Sequence, residues 1–196
     1  MAIKKNSRKQ QILQSLASML EKSPGGKITT SKLAIEIGVS EAALYRHFPS
    51  KTKMYEGLID FIENTIFSRI VIILKEEAGI NERCYRILIL ILTFSERNPG
   101  ITRILTGDAL TGETTKLHGR VRQLFDRIEA QLKQILREAE INHGTRTTFT
   151  VSVSANMLLA LTEGRMAQFV RSNFEYPPTK NWEDQWSLAM VGFFRD

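Results

Sequence analysis

The chain has 196 residues, 42% of them hydrophobic and 24% charged, enough apolar content for one buried core or for a small domain joined to a larger one. Its greasiest run, "ILILIL" at 87–92, falls far short of the roughly 20 residues of a membrane-spanning helix, and a single cysteine, Cys84, excludes an internal disulfide and fits a reducing compartment. The net charge of +6 is confined to one end: residues 1–55 hold ten Lys/Arg against three Asp/Glu, and residues 56–196 hold seventeen against eighteen.

Nearly every segment reads as helix. The opening "MAIKKNSRKQQ" is polar, with no apolar stretch behind it to make a secretory signal, so a cytoplasmic location is expected. From Arg8 to Lys22, Ile12, Leu13, Leu16, Met19 and Leu20 recur at helical spacing until "SPGG" at 23–26 ends the helix. "TTSKLAIEIG" (29–38) begins on hydroxyl residues suited to N-capping and stops at a glycine suited to C-capping. Ser40 can cap a third, very short helix, with Glu41 favoured in its first turn by the helix dipole. Pro49 then breaks the chain, and Ser50 can cap a long fourth helix, Lys51 to Glu77.

Beyond Gly79 the pattern is less simple. "CYRILILILTF" (84–94) is apolar on every side, so composition alone allows strand or helix; its helical neighbours and the lack of a partner strand favour a buried helix ended by "SERNPG". "ITRILTGDAL" (101–110) reads as a short helix interrupted by glycine, and 111–119 as a polar loop. Residues 120–139 repeat Val121, Leu124, Ile128, Leu132 and Ile135 with heptad spacing, which suits either a seam with a second copy or an internal core. Two last helices, 147–172 and 182–194, flank "EYPP". The fold class is all-α, divided into residues 1–50 and 51–196.

The concentrated positive charge of the first part points to a polyanion, nucleic acid ahead of a membrane surface. Two short helices joined by "GVS" make a helix-turn-helix, whose second helix enters the major groove of DNA by its N-terminal end. That geometry fits "GVSEAALYRHFPSK" (38–51). Small side chains at Ser40 and Ala42 let the backbone approach the groove; Ala43 and Leu44 turn inward; Phe48 can plug the core. Tyr45, Arg46 and His47 offer hydrogen bonds to phosphate, as do the hydroxyls and free amides at Thr29 and Thr30 and the ammonium of Lys51. Catalysis is not expected. His47, His118 and His143 are far apart, no HExxH or cysteine pair could hold zinc, and neither GxGxxG nor a Walker loop is present, so no cofactor or metal is expected.

"TTSKLAIEIGVSEAALYRHFPSKTKMYEGLID" resembles the TetR family of bacterial DNA-binding proteins over residues 8–60. The resemblance implies a three-helix DNA-binding head and a helical C-terminal body that dimerises, giving two heads on a palindromic double-stranded site. "ILQSLASMLE", "SERNPGITRILTGDAL" and "RIEAQLKQILRE" further resemble a branch of that family whose members bind chromosomal sites and antagonise the tubulin-like division protein FtsZ. This implies an FtsZ-binding surface of Phe61, Arg69, Leu90, Arg97 and Asn98, with Thr93 standing where a glycine is implied. The other activity the family allows is ligand-responsive repression. Branched aliphatics crowd "LIDFIENTIFSRIVIIL" and "YRILILILTF", which suits a rigid body better than a ligand pocket.

Overall fold

A computed structural model describes residues 8–23, 26, 28–76 and 79–195. Among these it contains nine α-helices, one 3-10 turn and a single two-residue strand pair, an all-α fold. The chain divides into two compact units, residues 1–63 with 98–121, and residues 64–97 with 122–196.

In the first unit, α1 (Arg8–Lys22) buries Ile12, Leu16 and Leu20, one residue per helical turn, against its neighbours. Helix α2 (Thr30–Ile37) ends at Gly38, whose φ of 72° lies in the left-handed region that glycine enters without a Cβ penalty. The Val39 amide then reaches back to Ala34 O at 2.9 Å, closing the turn. Helix α3 (Glu41–His47) buries Leu44 completely, leaves Ala43 half-buried and turns Ala42, Tyr45 and Arg46 to solvent, as the 100° step requires. Phe48, 8% exposed, fills the space beneath.

Helix α4 begins at Lys51, with Ser50 accepting from the Lys53 amide at 3.2 Å, and runs to Lys75; Glu77, the expected end, lies outside the described residues, as do Pro24 and Gly25 of the "SPGG" stop. Helix α6 (Pro99–Leu105) lies directly on α1, with a proline in its first turn and everything from Gly100 to Leu105 buried. A Cβ built on Gly100 would stand 2.0 Å from Ala17 O, so only glycine permits this approach. The 3-10 turn Asp108–Leu110 follows.

The second unit centres on α5 (Ile80–Arg97) and α8 (Val151–Arg171), which pack against each other. The ambiguous "CYRILILILTF" is helical, burying Cys84, Ile87, Leu88, Ile91, Leu92 and Phe94. Burial pushes the Cys84 thiol up to about 12. Helix α9 (Trp182–Met190) places Trp182 and Trp186 inside, the latter edge-on to Tyr85 at 5.7 Å.

Three boundaries differ from expectation. Residues 115–119 are not loop: α7 runs Thr115–His143 because Leu117, fully buried, continues the Val121–Leu124 stripe back by one turn. Helix α8 starts at Val151, since Thr147 pairs with Phe194 in the strand pair β1 (Arg146–Thr147) and β2 (Phe194–Arg195), and Thr150 caps the helix by accepting from the Val153 amide. That pairing also ends α9 at Met190 and not at 194. The heptad positions of α7, Val121, Leu124, Ile128, Leu132 and Ile135, are at most 8% exposed within this one chain, so they serve its own core and not a seam with a second copy. Glu129 and Lys133 pair at 2.7 Å along the same helix.

Candidate nucleic-acid interface

The first unit gathers a polar surface where α2 meets α3. Thr29 caps α2 by accepting from the Lys32 amide at 3.3 Å, and Ser40 caps α3 by accepting from the Ala43 amide at 3.2 Å. The two helices are stitched by a side-chain chain: the Tyr45 hydroxyl donates to Thr30 Oγ1 at 3.2 Å, and Thr30 in turn donates to Glu41 Oε2 at 2.9 Å. Thr30 and Tyr45 are therefore brought together, and Glu41, noticed in the sequence only as a dipole-compatible residue, orients them. Its signal was the acidic residue just after the cap. Ala42, Tyr45 and Arg46 are exposed, Tyr45 at 41%, and His47 is half-buried in the last turn of α3, where a basic residue suits the helix dipole.

Lys51 is differently placed. Its Nζ meets Glu113 Oε1 at 2.5 Å and lies 5.5 Å from the Tyr55 ring centroid. Nothing in the local sequence announces Glu113, which is 62 positions away. The same edge of the unit holds further ion pairs. Glu56 receives Lys53 at 2.6 Å and Lys116 at 2.7 Å, and Arg120 meets Asp60 at 2.8 Å and Glu63 at 3.1 Å.

The hydrogen bonds from Lys116 and Lys53 hold the Glu56 carboxyl down at about 2, against 4.5 for a free glutamate. A folded value below the unfolded one means that this stabilisation is complete above pH 4.5 and is lost as pH falls toward 2. Glu56→Gln is expected to lower stability at pH 7, where the pairing is fully present, and to converge with the wild type toward pH 2, so that the fall of stability between about pH 4.5 and 2, followed by circular dichroism, is flattened. An unchanged acid limb would contradict the assignment.

Of the residues implied for a protein partner, Phe61 (47% exposed) and Asn98 lie in the first unit. Arg69 and Arg97, both exposed, and the half-buried Leu90 lie in the second. Phe61 is thus a surface residue and not core. Asn98 sits between α5 and α6 at φ −135°, ψ 63°. Thr93 is half-buried. Among the described residues no group of three or more His, Cys, Asp or Glu could hold a metal ion, and no helix is long and apolar enough to cross a membrane.

Residues 12–58 match the family described as bacterial regulatory proteins, tetR family, and residues 79–192 match the tetracyclin repressor-like C-terminal domain. A nucleoid occlusion factor SlmA from Shewanella pealeana is 56% identical over 184 residues, covering 94% of this chain and 93% of that protein. The SlmA of Idiomarina loihiensis is 55% identical over 188 residues, 96% of each chain. The chain belongs to the SlmA family of nucleoid occlusion factors. Solved structures agree on the fold of these TetR-type proteins. The fatty acid degradation regulator FadR from Bacillus halodurans superposes with a TM-score of 0.82 at 15% identity, over 97% of this chain and 98% of that one. The TetR family transcriptional regulator PfmR from Thermus thermophilus gives 0.77 at 19% identity, over 94% and 100%. At such identities the likeness concerns the fold alone, whereas the SlmA relatives span nearly the whole sequence.

Proposed function

We propose that this SlmA-family chain is a cytoplasmic, nucleoid-associated division inhibitor. It binds specific palindromic DNA as a homodimer and, when DNA-bound, antagonises FtsZ assembly. The observation that carries this reading is the identity of about 55% to nucleoid occlusion factors over at least nine-tenths of both chains. Residues 1–50 dock the duplex. Ala42 and Ser40 let α3 approach the major groove, while Thr29, Thr30, Tyr45, Arg46, His47 and Lys51 bind phosphate and set the register. Residues 51–196 dimerise and recognise FtsZ.

The dimer reading draws support from apolar side chains left exposed in the second unit. Helix α8 exposes Val153 and Met157, one turn apart on one face, and Leu188 and Val191 are 74% and 78% exposed at the end of α9. A two-fold mate would bury such residues. The residues assigned to FtsZ recognition are Phe61, Arg69, Leu90, Arg97 and Asn98, an aromatic and two arginines among them, residue types that concentrate binding energy at interfaces.

The decisive experiment sediments FtsZ polymers with GTP and this protein, with and without a palindromic duplex selected on it. Polymer loss is expected to rise several-fold with the duplex and to vanish on joint replacement of Arg97 and Asn98 by alanine, with DNA affinity unchanged. Tight DNA binding with unaffected polymers would instead make the protein a ligand-responsive repressor.

A further inference from the structure

We propose that Glu113 is a built-in competitor for the DNA backbone: in the free protein its carboxylate occupies Lys51, and docking requires a phosphate to displace it. The inference rests on the reading of Lys51 as a phosphate contact. Lys51 is the first residue of α4, next to the Pro49–Ser50 corner that follows the recognition helix, and is among the few cations of the head fixed at the start of a long helix. Its ammonium is not waiting in solvent. It lies 2.5 Å from Glu113 Oε1, with the two side chains only 24% and 15% exposed.

The short segment bearing Glu113 is shaped for that position. Leu110, completely buried, anchors it on one side and Leu117 on the other. Gly112 turns the chain through the left-handed region at φ +79°, and the Glu113 amide donates to Leu110 O at 2.9 Å. The carboxylate also lies close enough to Tyr55 to act on it: burial first, and then Glu113, pushes that phenol up to about 12. A carboxylate oxygen at this distance offers Lys51 an anionic acceptor, as a phosphate oxygen does, so the two compete for the same ammonium. The neighbouring cations differ. Lys53 and Lys116 share Glu56 from side chains 51% and 65% exposed, where water screens the pair and exchange is easy.

The consequence is a set-point on affinity. Each docking event exchanges one carboxylate for one phosphate at Lys51, so the native protein binds more weakly than the same head without Glu113. The test is a double-mutant cycle of wild type, Glu113→Gln, Lys51→Ala and the double variant. Binding is read by fluorescence anisotropy against a duplex of roughly two helical turns selected on the wild type, with thermal melts as a check on folding.

Glu113→Gln is expected to tighten binding about three- to tenfold at ~50 mM salt. Because the pair is little exposed, that gain should persist in large part at ~200 mM, and it should be absent on the Lys51→Ala background. If Lys51→Ala weakens binding but Glu113→Gln leaves it unchanged or weaker, the competitor is refuted and the docking reading stands. A gain that persists without Lys51 also overturns it. If neither single variant alters affinity, Lys51 does not touch DNA, and both readings fall together.

Discussion

Gly100→Ala is expected to destabilise the protein by at least about 3 kcal/mol, against the sign that helix propensity alone gives. In an exposed helix, alanine in place of glycine stabilises by roughly 1 kcal/mol. At position 100 the new methyl would stand 2.0 Å from Ala17 O and 2.8 Å from the Glu21 amide nitrogen. Both are main-chain atoms of α1, and neither can swing aside as a side chain would. Relief requires α6 to lift off α1, which opens voids around Leu16, Leu20, Ile101 and Ile104, all now at most 4% exposed. For a chain of this length that loss corresponds to a melting point lower by about 6–12 °C. Gly119 in α7 supplies the contrast, for a Cβ there meets nothing within 4 Å. Gly119→Ala should leave the melting point unchanged or raise it slightly. Equal effects at the two positions would refute the close approach.

Arg103→Leu should cost about 3–5 kcal/mol in urea denaturation. The guanidinium is 3% exposed and lies in α6, where its Nη1 donates to Leu20 O at 2.6 Å and to Ser23 O at 2.9 Å, while its Nε donates to Asp108. Leu20 and Ser23 supply carbonyls at the C-terminal end of α1, where the helix has no further amides to satisfy them and its dipole is negative. Arg103 therefore serves as a cap delivered from 80 residues away. Leucine fills much of the volume but takes the guanidinium donor from Leu20 O and leaves Ser23 O with the Gly26 amide alone, at 3.0 Å, and the loss of those buried bonds accounts for most of the cost. Asp108, its side chain 43% exposed, can turn to water, so Asp108→Asn should cost far less. Lysine keeps the charge but cannot fork to both carbonyls and the carboxylate, so Arg103→Lys should recover less than half of the stability. Full recovery by lysine would mean that charge, and not the planar fork, matters at this position.

These two residues also mark where sequence reading runs out. Local patterns disclosed α1 to α4, the turn at Gly38, the inward Leu44 and the Phe48 plug, because caps and helical periodicity act within a few residues. The helical state of "CYRILILILTF" followed from its neighbours. The polar 111–119 segment is loop only as far as Thr114; its second half misled because hydroxyl and glycine residues surround Leu117, whose burial carries α7 back to Thr115. A strand pair of two residues is too short to leave a period. The heptad of α7 was legible as apolar spacing, but an internal core and a two-fold seam write the same spacing. In the candidate interface, residue types suggested the polar groups of α2 and α3, yet their wiring was hidden. Glu113 reaches Lys51 across 62 positions, and Arg103 reaches Leu20 across 83. Pairings of that kind belong to topology and have no local signature.

The burial of Cys84 has a practical corollary for experiments on this molecule. With Cys84 only 1% exposed and its thiol held protonated, the sole native cysteine is invisible to maleimides and disulfide reagents while the fold persists. A cysteine introduced at an exposed position such as Ala42 or Phe61 would then be the only reactive thiol, and could take a fluorophore or spin label without any prior removal of Cys84. The unmodified core thus already provides the chemically silent background that distance measurements between labelled copies require.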